Sequence, residues 1–423
     1  MAVVEPGPLG GTCLNRGCIP SKMLIHHADI VETVQSSDKF HIDAEVNDIE
    51  FSKIVDEVNE EVSSDAEGIE KAVRNSENHT LYKTEAVFVD DKVLDVDGQK
   101  ITSDNIFIAA GTRPMVPPIP GLEDVEYLTS KEALELDKCP DELVIIGGGY
   151  ISAEMAHFFD AMGAEITIIE MGDALVGRED KDIYEKFTEI SKQKYDVELG
   201  LSASKVEKIG DKIKVTAESE SGTKHSFAGD ELLVATGRVP NTDILSVEES
   251  GIETDERGFI ETDEYMRTNV DGVYALGDIA GNYAFKHSAN LEAEYALKNA
   301  IKGDTDQIDY TAMPHAIFSN PQIAGVGKKE QEIEDDDYVT ATYNYKNTGM
   351  GMALKEENGF VKVIASESGE ILGCHIIGAH ASQQIHEVIV SMKSGSGYID
   401  DIKDAVHIHP ALNEVVQRAF NQL

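Results

Sequence analysis

The segment LVIIGGGYISAE, residues 143–154, runs from a short apolar strand through three glycines into the start of a helical pattern. This order is the context of a dinucleotide-binding fingerprint, in which backbone amides and a helix N-terminus hold a pyrophosphate. Ser152, where the pattern usually has its third glycine, is small enough for close helix–strand packing. The next strand ends in Glu170, about 20 residues on, where an acid accepts from a ribose 2′-hydroxyl. The segment predicts a nucleotide site containing Gly147, Gly149 and Glu170, with a purely structural turn as the alternative.

Strands and helices alternate on both sides of this segment, in two stretches that end alike. Residues 106–114 and 232–240 each finish as an apolar strand, a glycine and a proline. This similarity predicts an α/β protein with two related, Rossmann-like domains, one inserted in the other. The strand-rich remainder, with two helices near its end, predicts an α+β domain. The expected boundaries are 1–115 and 240–309 for the first domain, 116–239 for the inserted domain and 310–423 for the last.

The composition restricts the class of protein. The 423 residues carry a formal charge of −43, from 36 Lys and Arg against 79 Asp and Glu. Such a surface repels nucleic acid and anionic membranes, so neither is an expected partner. No apolar run approaches the roughly 18 residues of a membrane helix, and four cysteines are too few for a secreted disulfide scaffold. We therefore expect a soluble, cytoplasmic protein.

The acidic residues are spread along the whole chain and include the run 335–337. This distribution favours a solvated surface over an interaction tail. Salt screens such charges over about 3 Å at 1 M ionic strength, so the excess favours adaptation to a salt-rich, halophilic cytoplasm. An ordinary acidic protein is the alternative.

Cys13 and Cys18 lie close together at the start of a helical pattern, with Lys22 a turn later. Helix N-terminal amides and a nearby cation stabilise the thiolate, which is the nucleophilic form of cysteine. In a reducing cytosol such a pair favours a catalytic dithiol over a structural disulfide. Zinc is the alternative, although zinc takes two further ligands and the chain has no second close pair. We interpret Cys139 and Cys374 as ordinary residues.

His409 and Glu414 belong to the segment HIHPALNE, residues 407–414. A histidine before a proline, followed by a carboxylate at a helix start, fits a general base oriented by an acid. His407 and His409 could instead bind a metal, and a lone histidine is more often structural. Spacing alone leaves these alternatives open, and we expect no metal.

The cysteine pair, the glycine turn and the segment HIHPALNE, in this order and spacing along the chain, resemble the motifs of the class I pyridine nucleotide–disulfide oxidoreductases, which are flavoenzymes. The segments GGTCLNRGCIPSK (10–22) and HPALNE (409–414) are highly specific, and the resemblance covers essentially the entire chain. It is strongest to dihydrolipoyl dehydrogenase-like and mycothione reductase-like members. The resemblance implies an FAD domain, an inserted NAD domain and a C-terminal dimerisation domain in a homodimer.

The resemblance also implies roles for individual residues. Cys18 would face the flavin and Cys13 would exchange with the substrate. His409, held by Glu414, would act as the acid–base on the cysteines of the other subunit. The further cofactor contacts that it implies are Glu5, Lys22, Ala86, Gly111, Asp278 and His287 for FAD, Glu154 as the partner of Lys22, and Gly147, Gly149, Tyr150, Ile151, Glu170 and Gly237 for the nicotinamide nucleotide.

The implied activity is FAD-dependent electron transfer between NAD(H) and a dithiol or disulfide, most similar to that of dihydrolipoyl dehydrogenase. Thiol–disulfide exchange is near balance, so the cellular redox state sets its direction. The alternatives are a reductase of a low-molecular-weight disulfide, of mycothione reductase type, and a non-catalytic NAD-binding dimer. Mercuric reductase is disfavoured because that relative has a cysteine pair near its C-terminus, where this chain reads RAFNQL.

One departure from the family pattern concerns the N-terminus. The family begins with a strand, a glycine-rich FAD turn and a helix, all before the cysteine motif. In this chain, residues 2–5 match the family's second strand, which follows that first strand, turn and helix. Glu5 stands in the place of the acid that binds the FAD ribose. We therefore expect about 25 to 35 residues upstream of Met1 in the working protein.

Overall fold

A computed structural model describes residues 1–303, 306–334 and 337–423. Asp335 and Asp336, of the acidic run, lie outside the described residues. The strands are β1 (Ala2–Val4), β2 (Thr80–Tyr82), β3 (Ala86–Asp90), β4 (Val93–Val96), β5 (Gln99–Thr102), β6 (Ile106–Ile108), β7 (Thr112–Pro114), β8 (Glu142–Ile146), β9 (Glu165–Glu170), β10 (Asp196–Leu199), β11 (Leu201–Ile209), β12 (Lys212–Ser219), β13 (Lys224–Gly229), β14 (Glu231–Val234), β15 (Arg238–Pro240), β16 (Val273–Ala275), β17 (Pro314–Ile317), β18 (Ile323–Gly327), β19 (Tyr338–Asn344), β20 (Phe360–Ser366) and β21 (Ile371–Ile377).

The α-helices alternate with these strands in the α/β pattern that the sequence predicts. They are α1 (Gly11–Arg16), α2 (Cys18–Gln35), α3 (Phe51–Arg74), α4 (Ser130–Ala133), α5 (Tyr150–Ala161), α6 (Lys181–Lys194), α7 (Thr242–Leu245), α8 (Lys286–Leu297), α9 (Gly349–Leu354), α10 (Ala381–Gln384), α11 (His386–Ser394), α12 (Asp400–Lys403) and α13 (Glu414–Phe420). Among the described residues, no helix has an apolar stretch long enough to cross a bilayer.

The chain forms two compact units. Unit 1 contains residues 1–21, 56–115 and 237–309. Unit 2 contains residues 22–55, 116–236 and 310–423.

Unit 1 has two pairs of parallel strands, β1 with β2 and β6 with β16, and an antiparallel meander of β3, β4 and β5. Its core is built from apolar residues of these strands, such as Phe88, Ile108 and Val273. Because β6 and β16 are parallel, their carboxyl ends reach the same edge, and the loops that follow lie side by side.

Unit 2 contains a four-stranded parallel sheet in the order β10-β9-β8-β14. Helix α5 connects β8 to β9 and buries Ala156, Phe158 and Phe159 completely. Full burial of a large apolar side chain stabilises the fold by about 1.5–3 kcal/mol. This strand–turn–helix–strand unit is the Rossmann-like element that residues 143–154 predict.

The C-terminal part of unit 2 is α+β, as predicted. A five-stranded antiparallel sheet has the order β17-β18-β21-β20-β19. Helix α13 packs four fully buried side chains against its core, which are Val415, Val416, Ala419 and Phe420. This packing fixes the N-terminus of α13, where Glu414 lies.

A buried ion-pair network lies within unit 2. Lys362 on β20 is 2% exposed, and its ammonium group lies 2.9 Å from Asp180, 2.8 Å from Asp182 and 2.6 Å from Glu330. Burial alone would raise the pKa of Asp180, but hydrogen bonds from Lys362 and from the Glu330 amide hold that pKa below its ordinary value. The network joins the start of α6 to the antiparallel sheet.

Candidate active site

The two cysteines lie on two separate helical segments of unit 1. Cys13 is half-buried in α1, and Cys18 is exposed as the first residue of α2. Gly17 separates the helices, and a Cβ atom there would lie only 2.8 Å from the carbonyl oxygen of Thr12. The interruption between α1 and α2 therefore requires glycine at position 17. As a result Cys18, rather than Cys13, is at the start of the 18-residue helix α2. The sequence analysis placed both cysteines at the start of one helix.

Asn15 fixes the turn that precedes α1. Its side-chain amide donates to the carbonyl oxygens of Leu9, at 3.1 Å, and Gly11, at 2.9 Å. These bonds join α1 to the Gly10-Gly11 turn, in which both glycines have positive φ. The cysteine-bearing segment is therefore held by local hydrogen bonds.

Lys22 and Glu154 form the ion pair that the family resemblance implies. The Lys22 ammonium group lies 2.7 Å from both carboxylate oxygens, and Glu154 is buried on α5. Phe318 completes the group: its amide donates to Glu154 at 3.0 Å, and its ring centre lies 4.8 Å from the Lys22 nitrogen. Nothing in the sequence pattern indicated Phe318, because it lies 164 residues from Glu154.

Asp278 and Gly111 lie where the parallel strands β6 and β16 end. The Thr112 hydroxyl, next to Gly111, donates to the Asp278 carboxylate at 3.1 Å, and Arg238 donates to that hydroxyl at 2.7 Å. The buried Glu292 accepts from the Gly277 amide at 2.5 Å. The sequence did not single out three of these residues, Thr112, Arg238 and Glu292, although Thr112 and Arg238 lie in the two similar runs 106–114 and 232–240.

This edge of unit 1 fits the hydroxyl-bearing chain of FAD. Gly111 has a φ of +65°, and no atom lies within 4 Å of the place where its Cβ would be. Open space beside a carboxylate at the carboxyl end of parallel strands is the usual setting of a cofactor in α/β folds. Asp278 supplies the acceptor that a polyol hydroxyl needs.

The other residues assigned to FAD lie on different elements of unit 1. The Glu5 carboxylate accepts from the Gly7 amide at 2.8 Å, directly after β1. Ala86 is the first residue of β3. His287 lies in the first turn of α8, and its ring stacks on that of Phe285 at 5.2 Å between centroids.

The glycine turn of unit 2 is shaped to receive a nucleotide. Gly147 has a φ of +105°, and a Cβ there would lie 2.5 Å from the Ala235 carbonyl oxygen. Nothing lies within 4 Å of the Cβ position of Gly149, the residue before α5. Tyr150, half exposed, and Ile151 form the first turn of α5. An open helix N-terminus behind a parallel strand fits a pyrophosphate.

Glu170 lies against the same turn. Its carboxylate accepts from the Gly148 amide at 2.5 Å and from the Gly172 amide at 2.6 Å. The structure thus brings Gly147, Gly149 and Glu170 together as predicted. Gly237 belongs to unit 1, where it has positive φ and its carbonyl accepts from the Met115 amide.

His409 and Glu414 form a hydrogen-bonded pair in unit 2. The Nδ1 atom of His409 lies 3.0 and 3.1 Å from the two carboxylate oxygens, and Glu414 also accepts from the Ala411 amide. The hydrogen bond with His409 holds the pKa of Glu414 below its ordinary value. Because a carboxylate only accepts, Nδ1 is the donor, and Nε2 is left for proton exchange. The imidazole is three-quarters exposed.

Within the described residues, no group of three or more His, Cys, Asp or Glu side chains has an arrangement that would hold a metal ion. The zinc alternative for the cysteines, and the metal alternative for His407 and His409, therefore find no additional ligands in that part of the chain.

Comparisons with known proteins match nearly the whole chain. Residues 1–295 match the family model described as pyridine nucleotide-disulphide oxidoreductase, and residues 313–420 match the dimerisation domain of the same family. A mycothione reductase of Mycobacterium tuberculosis is 34% identical over 433 aligned residues, which cover 99% of this chain and 93% of that protein. A dihydrolipoyl dehydrogenase of Bacillus subtilis is 36% identical over 429 residues, covering 99% and 90%.

A solved structure is similar over the same length. The Cu(II) complex of the HOCl-induced flavoprotein disulfide reductase RclA from Escherichia coli has a TM-score of 0.88 at 26% identity. The superposed parts cover 99% of this chain and 94% of that one. The paired cysteines, the glycine turn and the His–Glu pair thus occur in a chain similar throughout to flavoprotein disulfide reductases.

Proposed function

Because this chain belongs to the pyridine nucleotide-disulphide oxidoreductase family, we propose that it passes electrons between NAD(H) and a disulfide or dithiol through Cys13 and Cys18. Membership makes it a disulfide oxidoreductase that uses FAD and a nicotinamide nucleotide. The observation that carries the roles of the cysteines is the position of Cys18 at the N-terminus of α2, with Cys13 one short helix earlier. Helix N-terminal amides stabilise a thiolate.

Cys13 is the exchanging cysteine in this proposal, and His409 is the acid–base. The Cys13 thiolate attacks one sulfur of the substrate disulfide, which forms a mixed disulfide and releases a thiolate that His409 protonates from Nε2. His409 then removes the proton of the Cys18 thiol, the Cys18 thiolate attacks the Cys13 sulfur, and the Cys13–Cys18 disulfide forms as the second substrate thiolate leaves and takes that proton from His409. Two electrons and two protons have reached the substrate, and NADH with one proton from solvent restores them.

Glu414 keeps His409 in the correct tautomer during these steps. It accepts from Nδ1, so the proton gained or lost in the reaction is at Nε2. In the opposite direction the same imidazole removes a proton from a substrate thiol, as dihydrolipoyl dehydrogenase activity requires.

We propose the following cofactor contacts. FAD, when bound, supplies the two-electron relay between the nicotinamide and the cysteine pair. The proposed FAD contacts are Glu5, Lys22, Ala86, Gly111, Asp278 and His287. The proposed nicotinamide-nucleotide contacts are Gly147, Gly149, Tyr150, Ile151, Glu170 and Gly237, and Glu154 serves as the ion-pair partner of Lys22. We assign residues 1–115 and 240–309 to the FAD domain, 116–239 to the NAD domain and 310–423 to the dimerisation domain.

The substrate that we favour is a dihydrolipoyl group, as for dihydrolipoyl dehydrogenase. The relative of that name is 36% identical, while the mycothione reductase is 34% identical. A low-molecular-weight disulfide is therefore the second candidate, supported by nearly equal similarity. We further propose a cytoplasmic homodimer, supported by the match to the dimerisation domain.

The acid excess supports a salt-rich cytoplasm as the working environment. A charge of −43 destabilises the compact state through self-repulsion, and salt screens that repulsion. We expect the urea midpoint of unfolding to rise steadily between 0.1 and 2 M KCl. A midpoint that is flat or falls over this range would contradict the proposal.

The activity is tested with two matched assays. Purified protein is given dihydrolipoamide with NAD⁺, and separately NADH with lipoamide and a panel of low-molecular-weight disulfides. The control is Cys13→Ser, which should lose all disulfide turnover but still reduce ferricyanide with NADH, because that acceptor needs no thiol. Disulfide turnover by Cys13→Ser at the parental rate would overturn the proposal.

A further inference from the structure

The segment between α12 and α13, residues 404–413, carries His409 but has no helix or strand of its own. Two apolar side chains on either side of His407 point into solvent, since Val406 is 100% exposed and Ile408 is 79% exposed. Leu412, near the end of the segment, packs against the core of the antiparallel sheet. Val406 and Ile408 have no such packing, so the part of the segment around His407 depends on polar contacts.

One side chain of the neighbouring helix contacts both ends of the segment. Glu387, in the first turn of α11, accepts from the Asn413 side-chain amide at 3.2 Å through Oε1. Its other oxygen, Oε2, lies 2.8 Å from Nε2 of His407. The His407 side chain is 8% exposed, and its Nδ1 lies 3.1 Å from the Ala405 carbonyl oxygen. A single carboxylate thus bridges residues before and after His409.

We propose that Glu387 is a positioning residue that holds the His409 segment, through His407 and Asn413, so that Nε2 of His409 is aimed at the substrate sulfur. The inference rests on the proposed function of His409. Glu414 fixes the ring only at Nδ1, so the direction of Nε2 depends on the backbone on both sides. A misplacement of about 1 Å can cost up to a hundredfold in rate.

A second set of contacts shows which part of the segment depends on Glu387. The Gln417 side chain donates to the Ala405 carbonyl at 2.9 Å, which holds the start of the segment independently. His407 is nearer to His409 in the chain than Ala405 is, Asn413 lies on the other side of His409, and both bind Glu387. Removal of Glu387 should therefore loosen the segment around His409 without unfolding α13, whose apolar side chains remain buried.

The experiment compares Glu387→Ala with Glu387→Gln. A glutamine can accept from Asn413 through its oxygen and donate through its amide to Nε2 of a neutral His407, whose Nδ1–H still donates to Ala405. It therefore preserves the geometry, whereas alanine removes both contacts. The matched control is Asp401→Asn, because Asp401 binds the other end of α11 through Ser391 and Ser396 and does not contact the segment.

Three measurements are made on each FAD-loaded variant, with His409→Ala as the reference. They are the kcat of disulfide turnover, NADH–ferricyanide reduction, and amide hydrogen exchange of residues 404–413. We expect Glu387→Ala to lose roughly tenfold or more in kcat, with little change in KM, and to exchange severalfold faster in the segment. Glu387→Gln should remain close to the parent in all three, and ferricyanide reduction should be unchanged throughout.

Three results would overturn the inference. The first is disulfide turnover by Glu387→Ala within twofold of the parent. The second is an equal loss of turnover in Asp401→Asn, and the third is a loss shared by ferricyanide reduction; either of these would indicate general destabilisation. Failure of the proposed function gives a different pattern: His409→Ala keeps full turnover, or the parent has none. Hydrogen exchange still tests in that case whether Glu387 holds the segment.

Discussion

The Lys22 ammonium group lies 2.7 Å from both carboxylate oxygens of Glu154, although 132 residues separate the two in the chain. Glu154 is buried and Lys22 is about one-third exposed, so the lysine is the counter-charge that makes burial of the carboxylate tolerable. The pair joins α2, which begins at Cys18, to α5, which begins at the nucleotide turn. A single charge change there should have a measurable effect on stability.

We expect Lys22→Met to lower the free energy of unfolding by about 3 kcal/mol, because it leaves a buried carboxylate without its partner. The double variant Lys22→Met, Glu154→Gln should recover much of that loss, since the glutamine still accepts from the Phe318 amide. Urea unfolding measures both. The control is Lys186→Met, which removes an exposed pair with Glu189 and should cost less than about 1 kcal/mol. If the loss of unfolding free energy in the double variant equals the sum of the losses in the two single variants, Lys22 and Glu154 do not stabilise each other.

The four cysteines should differ sharply in reactivity toward iodoacetamide. Burial raises the pKa of the Cys139 thiol to about 11, and complete burial raises the pKa of Cys374 well above its ordinary value. Neither should be alkylated in the folded, reduced, FAD-loaded protein at pH 8, whereas Cys13, which is proposed to exchange with the substrate, should react first and Cys18, which is proposed to face the flavin, second. Peptide mass spectrometry after a timed reaction gives the order of alkylation. After unfolding in urea, all four cysteines should be alkylated at similar rates. Early labelling of Cys374 would contradict the assignment of its burial.

Much of this architecture follows from short-range patterns in the sequence. Residues 143–154 predict strand β8, the glycine turn and the start of α5, and the strand-rich remainder with two helices near its end predicts the α+β region of β17 to α13. The glycine turn and Glu170 come together because strand, turn, helix and strand lie within about 30 residues. Local periodicity is sufficient for such elements.

Contacts between distant residues were not predictable in the same way. The break at Gly17 depends on a close approach to Thr12, and that contact is not visible as a change of hydrophobic pattern. Phe318 reaches Glu154, and Glu387 reaches His407, only because the tertiary fold brings their elements together. Thr112, Arg238 and Glu292 belong to the same class: each is an ordinary residue type whose role depends on a partner elsewhere in the fold.

The position of Glu170 predicts a preference for NADH over NADPH. Its carboxylate already accepts from the Gly148 and Gly172 amides beside the nucleotide turn, where a 2′-phosphate would bring like charge close to it. We expect kcat/KM to favour NADH by at least about tenfold, and Glu170→Gln to narrow that ratio mainly by improving NADPH. The control is Glu165→Gln, an exposed acid on the same strand. Equal kcat/KM values for NADH and NADPH in the parent would contradict the role given to Glu170.

His375 should make the protein sensitive to acid. Its Nε2 donates to the Lys328 carbonyl, its Nδ1 is buried and has no hydrogen-bond partner among the residues that the structure describes, and burial lowers its pKa. His375 of the unfolded chain therefore becomes protonated near pH 6.5, whereas in the folded chain it stays neutral to lower pH. The free energy of unfolding is therefore highest above pH 6.5 and decreases as the pH falls below it. We expect His375→Gln to reduce the loss between pH 6.5 and 5, by up to about 1.4 kcal/mol per pH unit. The exposed His225, replaced in the same way, should change nothing.

Mixing two inactive variants tests whether His409 serves the cysteines of the other subunit. Suppose that each site combines the cysteines of one chain with His409 of its partner. In a heterodimer of Cys18→Ser with His409→Ala, one site then carries both substitutions and the other site carries neither. Equal mixing after reversible dissociation makes about half the dimers heterodimers, so about a quarter of the parental activity should return. If His409 acts within its own chain, every site keeps one lesion and no activity returns. Cys18→Ser mixed with Cys13→Ser is the control, since every site there lacks a cysteine under either arrangement. Activity from that control would mean that the cysteines of one site come from different chains.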